Sequence, residues 1–82
     1  MWKEKNNKLS KSFEFEDFVE AFGFITQIAI IAEKMDHHPE WRNVYNVVFI
    51  ELTTHDSGNK ITEKDRVLAS QIDALFNKKY LS

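Results

Sequence analysis

Residues 36–55, DHHPEWRNVYNVVFIELTTH, hold all three histidines of the chain, its only proline and one of its two tryptophans. Histidine is the side chain whose ordinary titration falls near neutral pH, so imidazoles placed on two sides of a bound molecule can take a proton from one atom and deliver one to another. His37, His38 and His55 are therefore the candidates for acid and base chemistry. Two other readings stand beside that one. Three imidazoles can bind zinc with water as a fourth ligand, although adjacent ligands suit a tetrahedral ion poorly and the HExxH spacing is absent. Alternatively, all three are ordinary polar residues at the ends of elements. Adjacent side chains of an extended segment point to opposite sides, so at most one of His37 and His38 can aim squarely at a point shared with His55, unless the backbone turns between them. Glu33, Asp36 and Asp56 are close enough in sequence to orient an imidazole, and Trp41 is either a wall for a flat ring or a partly buried core aromatic. No Ser/His/Asp order, glycine-rich phosphate loop or cofactor fingerprint accompanies them.

The flanking segments must position these residues. Trp2–Glu4 and Leu9–Phe15 read as the strands of a hairpin, with Asn6 and Asn7 supplying a turn that tolerates positive φ and Leu9, Phe13 and Phe15 on one face. From Asp17 to Met35 the spacing becomes helical. Phe18, Phe22, Ile25, Ala29 and Ala32 draw one stripe, and Ala21, Phe24, Ile28 and Ile31 widen it beyond what a single sheet face needs. The excess predicts either a helix covered on two sides or an interface between subunits, and in so short a chain we favour the interface. Gly23 costs this helix about 1 kcal/mol relative to alanine, which predicts close packing there. Pro39 ends the helical region. Trp41–Tyr45 and Val47–Thr54 read as two strands with a tight turn near Tyr45-Asn46, or as one long bent strand. Val48, Ile50 and Leu52 face the core, and Val47, Phe49, Glu51, Thr53 and His55 lie on the other side. Ser57-Gly58-Asn59 marks a loop, and Thr62 with Asp65 forms a capping-box signal opening a helix through Leu68, Ile72, Leu75 and Phe76 to about Asn77, followed by a frayed tail. The order β-β-α-β-β-α implies an α+β fold, a four-stranded antiparallel sheet of two hairpins with two helices on one face.

Eighty-two residues, 1–82, suit one domain, whose core supplies only a few kcal/mol of net stability. Without cysteine there is neither a disulfide nor a thiolate metal site, and 43% hydrophobic with 13% aromatic residues predicts self-association as the missing support. A net charge of -2 with interleaved acids and bases gives no basic stripe for nucleic acid. No secretory signal and no apolar run long enough to span a bilayer is present, so a soluble, cytoplasmic chain is expected.

At these same residues the sequence closely resembles the pterin-4a-carbinolamine dehydratase family. The resemblance rests on Phe13, Phe15, Asp17 and Phe18, Ala21-Phe22-Gly23-Phe24, Glu33-Lys34, and the block Asp36-His37-His38-Pro39-Glu40-Trp41. It continues through Asn43-Val44-Tyr45-Asn46, Val48, Ile50, Leu52, Thr54-His55, and Asp65 with Leu68-Ala69. It covers about residues 13–72, and the DHHPEW block with a downstream TH is its most specific part. The resemblance implies the same α+β fold and 4a-hydroxytetrahydrobiopterin dehydratase activity. That reaction is loss of water from 4a-hydroxytetrahydropterin, the product of aromatic amino acid hydroxylases, to give quinonoid dihydropterin, as a step of tetrahydrobiopterin recycling. It implies no metal and no organic cofactor. Carried over by position, His37, His38 and His55 are the catalytic histidines, Asp36, Thr53, Thr54 and Asp56 join them around the pterin, and Glu33 and Trp41 support the pocket.

Three features depart from the family pattern. The chain starts near the first strand, where relatives often carry a preceding helix; the loop between His55 and Asp65 is one residue longer than usual; and Val47 and Phe49 make the outer strand face more apolar. The last feature fits burial in a homodimer or homotetramer, the states relatives adopt. The alternatives to the enzyme are a non-catalytic pterin-binding role and a dimerisation or transcriptional accessory role, the latter borne by helix surfaces in animal relatives. A link to an aromatic amino acid hydroxylase is the expected pathway context, with neither nucleic acid nor membrane as a direct partner.

Overall fold

The computed structural model describes residues 1–81. Strands β1 (Lys3–Lys5) and β2 (Lys8–Glu14) form the first hairpin, whose turn residues Asn6 and Asn7 both have positive φ, 55° and 62°. Two left-handed residues in succession match the twist of the flanking strands, and asparagine adopts that conformation at little cost. Strands β3 (Glu40–Val44) and β4 (Val47–Leu52) form the second hairpin. Here Tyr45 takes the positive φ, 50°, an arrangement that costs a side chain about 1–2 kcal/mol. Two asparagines offset it. The Asn43 amide donates to the carbonyls of Tyr45 and Val47, and the Asn46 amide donates to the Phe15 carbonyl at 2.8 Å.

The four strands are ordered β1-β2-β4-β3, every pair antiparallel. Phe13 lies opposite Val48 and Leu9 opposite Leu52, which places the alternating apolar residues of β2 and β4 on one face. Both helices pack there, α1 (Phe18–Met35) and α2 (Glu63–Phe76). The core joins Leu9, Phe13, Val48, Ile50 and Leu52 of the sheet to Phe24, Ile28, Leu68 and Ile72 of the helices. Phe13, Phe15, Phe24 and Phe76 meet with ring centroids 5.0–5.8 Å apart. Such pairs add about 0.5–1.5 kcal/mol each beyond the area they bury. The predicted sheet, helices and their order are thus the observed ones, with strand ends shifted by a residue or two.

Helix α1 distinguishes between its two apolar stripes. Ala21, Phe24, Ile25, Ile28 and Ala32 are buried, whereas Phe18, Phe22 and Ala29 of the first stripe are exposed, together with Val19 and Ile30. Three of the five residues of the first stripe therefore face outward, and its Ile25 and Ala32 join Ala21, Phe24 and Ile28 of the second in being buried. The close packing expected at Gly23 is not found within the chain, since a Cβ built there meets nothing within 4 Å. In place of a frayed tail after α2, Asn77–Leu81 continue as a π-helical turn, entered through Asn77 in right-handed helical torsions. No helix among the described residues is long and apolar enough to cross a membrane.

Candidate active site

The histidines stand where the end of α1, the end of β4 and the start of α2 meet. Asp36 closes α1 in the left-handed conformation, with φ 52° and ψ 43°. Its N–H bonds the Glu33 carbonyl and the next N–H, of His37, bonds the Ala32 carbonyl, each at 3.1 Å. This paired closure ends a helix by reversing the chain, at a position glycine usually fills. The reversal turns the His37 ring inward and leaves His38 on the surface. His37 is 8% exposed and the His38 side chain 56%.

Each imidazole is held through one nitrogen by an acceptor oxygen. His37 Nε2 lies 2.6 Å from Asp65 Oδ1, His38 Nε2 lies 2.8 Å from Glu33 Oε1, and His55 Nδ1 lies 2.7 Å from Asn59 Oδ1. A carboxylate or amide oxygen only accepts, so the facing ring nitrogen carries the proton. In the neutral ring the other nitrogen, Nδ1 of His37 and His38 and Nε2 of His55, then keeps its lone pair. None of these three atoms has a protein partner among the described residues. No buried side-chain nitrogen or oxygen there lacks a partner, so His37 Nδ1, which bonds none, reaches the surface.

Asp65 is the centre of this arrangement and is fully buried. Its Oδ1 accepts from His37, and its Oδ2 accepts from the Thr54 hydroxyl and the Thr62 N–H, both at 2.8 Å. Three donors and no acceptor surround the carboxyl, which is the environment of an ionised group. It also sits in the first turn of α2, where the helix N-terminus favours negative charge. In the sequence Asp65 marks the capping box and the family resemblance but not a histidine partner, and that box is present at Thr62 and Asp65. The pairing with His37, 28 positions earlier, has no signature in sequence spacing. The one available hint is the acid itself: an aspartate where the capping box usually has the longer glutamate or glutamine.

The remaining predicted site residues divide plainly. Glu33 holds His38, but Asp36 serves the backbone reversal, and Asn59 rather than Asp56 holds His55. Asp56 lies exposed in the 3-10 turn His55–Ser57. Thr53 donates its hydroxyl to the Asn7 carbonyl at 2.9 Å, tying the first hairpin to β4. Thr54 spends its one proton on Asp65. Trp41, opposite Ile50 on the helix-facing side of the sheet, is half-buried against the core. No three histidine, cysteine or acidic side chains among the described residues are grouped to hold a metal ion. A groove of about 650 Å³ lies on the other sheet face, where the Arg42 guanidinium stacks 4.1 Å from the Phe49 ring centroid, and no histidine lines it.

Comparison with known proteins follows the same residues. The family model described as pterin 4 alpha carbinolamine dehydratase matches residues 1–75. A protein of Prochlorococcus marinus strain NATL2A, provisionally named a pterin-4-alpha-carbinolamine dehydratase, is 53% identical over 93% of this chain and 79% of its own. A protein of Solibacter usitatus with the same provisional name is 55% identical over 90% of this chain and 77% of its own. Among solved structures, a transcriptional coactivator/pterin dehydratase of Brucella melitensis superimposes with a TM-score of 0.83 at 47% identity, covering 89% of this chain and 79% of the other. A pterin dehydratase-like protein identified as a RuBisCO assembly factor in the alpha-carboxysome gives 0.73 at 25% identity, over 92% and 86%. With the match running from the first hairpin through α2 and relatives about half identical across it, the chain belongs to the pterin 4 alpha carbinolamine dehydratase family.

Proposed function

We propose that the protein is a 4a-hydroxytetrahydrobiopterin dehydratase, a cytoplasmic hydro-lyase that removes water from 4a-hydroxytetrahydropterin. The observation that carries this reading is the matched set of imidazoles, each anchored through one nitrogen and open at the other. The elimination breaks the bond from C4a to its hydroxyl oxygen, which leaves as water once it receives a proton. A proton is lost from a ring nitrogen, and the new carbon–nitrogen double bond gives the quinonoid dihydropterin. Both transfers are within the reach of imidazole at neutral pH, and each well-placed group contributes about 10² to 10⁴ in rate.

His37 and His55 share the acid and base work in this proposal, and His38 binds and polarises the pterin. His37 suits the more demanding role because its partner is a buried carboxylate, which fixes the orientation and tautomer of the ring. The donor set present is imidazole and carboxylate with no thiolate, and the proposed chemistry uses proton transfer alone. Asp36, Thr53, Thr54 and Asp56 shape the rim, mainly through backbone placement, and Glu33 and Trp41 support it. The substrate is the one that aromatic amino acid hydroxylases release, which makes tetrahydrobiopterin recycling the proposed context.

A homodimer or homotetramer is proposed as the working form. The exposed apolar face of α1, with Phe18 at 47%, Val19 at 78%, Phe22 at 54% and Ile30 at 56% exposure, supports it. The accessory reading rests on the same face, since the Brucella melitensis relative is also described as a transcriptional coactivator. The ultraviolet decay of freshly generated 4a-hydroxytetrahydropterin tests the activity. Wild-type protein should accelerate it far beyond buffer, with His37→Ala and His55→Ala losing more turnover than His38→Ala. Decay at the buffer rate would leave a binding role, and equal losses in all three variants would refute the division of labour.

A further inference from the structure

Thr54 joins the two histidine-bearing segments, and we propose that it is a positioning residue that sets His37 and His55 relative to one another. The inference rests on the acid/base reading given above. The Thr54 hydroxyl lies 2.8 Å from Asp65 Oδ2 and 2.6 Å from the Thr62 hydroxyl. An ionised carboxylate can only accept, so the single Thr54 proton goes to Asp65 and the Thr62 hydroxyl must donate to Thr54. The result is one directed chain, from Thr62 to Thr54 to Asp65, with the His37 Nε2–H donating to the other oxygen of the same carboxylate. Thr54 is 5% exposed, so water does not compete for these bonds.

The backbone of the same residue builds the loop that presents His55. Its N–H donates to the Lys60 carbonyl at 2.9 Å, and its carbonyl accepts from the N–H groups of Ser57, Asn59 and Lys60 at 3.1–3.3 Å. Those bonds close residues 55–59 into one compact turn. Asn59, fixed by that carbonyl, in turn holds His55 Nδ1. A displacement of Thr54 therefore reaches His37 through one intervening side chain and His55 through the turn. Whatever its backbone contributes to the rim, the Thr54 hydroxyl acts through Asp65 and its carbonyl through Asn59.

Thr54→Val keeps the shape and removes the hydroxyl, whereas Thr54→Ser keeps the hydroxyl. The ring nitrogens of the histidines are followed by ¹⁵N NMR in the free protein, and dehydration kinetics are measured alongside. In Thr54→Val the His37 and His55 nitrogen signals both shift and kcat falls by about 10- to 100-fold, because a misplacement near 1 Å costs on that order. KM stays near the wild-type value, and Thr54→Ser returns both readouts. Thr62→Val removes only the donor to Thr54 and moves the same signals by less, which carries the test should Thr54→Val fail to fold. Unchanged histidine signals in Thr54→Val, or in Thr62→Val where that variant stands in, would overturn the proposal, as would Thr54→Ser behaving like Thr54→Val. Absence of dehydration by wild-type protein would instead overturn the reaction, while the NMR comparison still decides the positioning role.

Discussion

Replacing Asp65 by asparagine tests the electrostatic core of the site. The carboxyl is fully buried and accepts from His37, Thr54 and the Thr62 N–H at 2.6, 2.8 and 2.8 Å. An amide of the same size has one accepting oxygen and an NH₂ group that must face one of these donors. Toward Thr54 and Thr62 the NH₂ would meet a backbone N–H that has no alternative. Toward His37 it meets a ring that can exchange tautomers, so the NH₂ is expected on the His37 side. His37 Nε2 then becomes the acceptor and Nδ1, the nitrogen that reaches the surface, gains the proton. The free lone pair is lost. Exchanging charge-assisted bonds for neutral ones costs about 1–3 kcal/mol, and a domain of this size loses roughly 4–8 °C of Tm per kcal/mol. Asp65→Asn should therefore melt several degrees to some 20 °C lower, remain folded at room temperature, and lose about 10² to 10⁴ in kcat with little change in KM. Thermal unfolding and dehydration kinetics on one preparation measure both. A variant as stable and as active as wild type would refute the reasoning.

Other perturbations separate support from chemistry. Phe22→Glu on the outward face of α1 should leave the protomer's secondary structure intact, since exposed substitutions usually change stability by less than about 0.5 kcal/mol, and should lower the assembly mass read by light scattering. Gly58 has φ 78° at the end of the His55 turn, so Gly58→Ala should cost about 1 kcal/mol and loosen the His55 ring signals more than those of His37. Glu51 first, then Glu40, raises the Lys8 amine above its ordinary 10.5. A raised folded value means that this contribution is fully present below pH 10.5 and fades as pH rises through the folded value. Lys8→Met should flatten that alkaline fall in Tm.

Much of the fold was legible in sequence because local rules and burial agree there. The Asn6-Asn7 turn, the Thr62–Asp65 capping box and the alternation of Val48, Ile50 and Leu52 each name their own structure. Helix α1 was less legible. Apolar residues lie around most of its circumference, so periodicity alone does not say that Phe24 is inside and Phe22 outside; the sheet it packs on decides. The histidines were found from their types and spacing, and the opposed directions of His37 and His38 follow from their adjacency. Their partners were harder to name. Sequence proximity suggested Glu33, Asp36 and Asp56; Glu33 does hold His38, whereas the folded chain brings Asp65 to His37 across the domain and Asn59 to His55 across a turn. A buried carboxylate serving a helix cap and an imidazole at once is a property of packing, and only the three-dimensional structure displays it.

The central claim is that His37 and His55 transfer the protons of a pterin dehydration. Single-turnover decay of 4a-hydroxytetrahydropterin, followed with wild-type protein and with the His37→Ala/His55→Ala double variant, addresses it most directly. The account predicts rapid decay with wild type and decay at the buffer rate with the variant. Equal rates for the two proteins would contradict it.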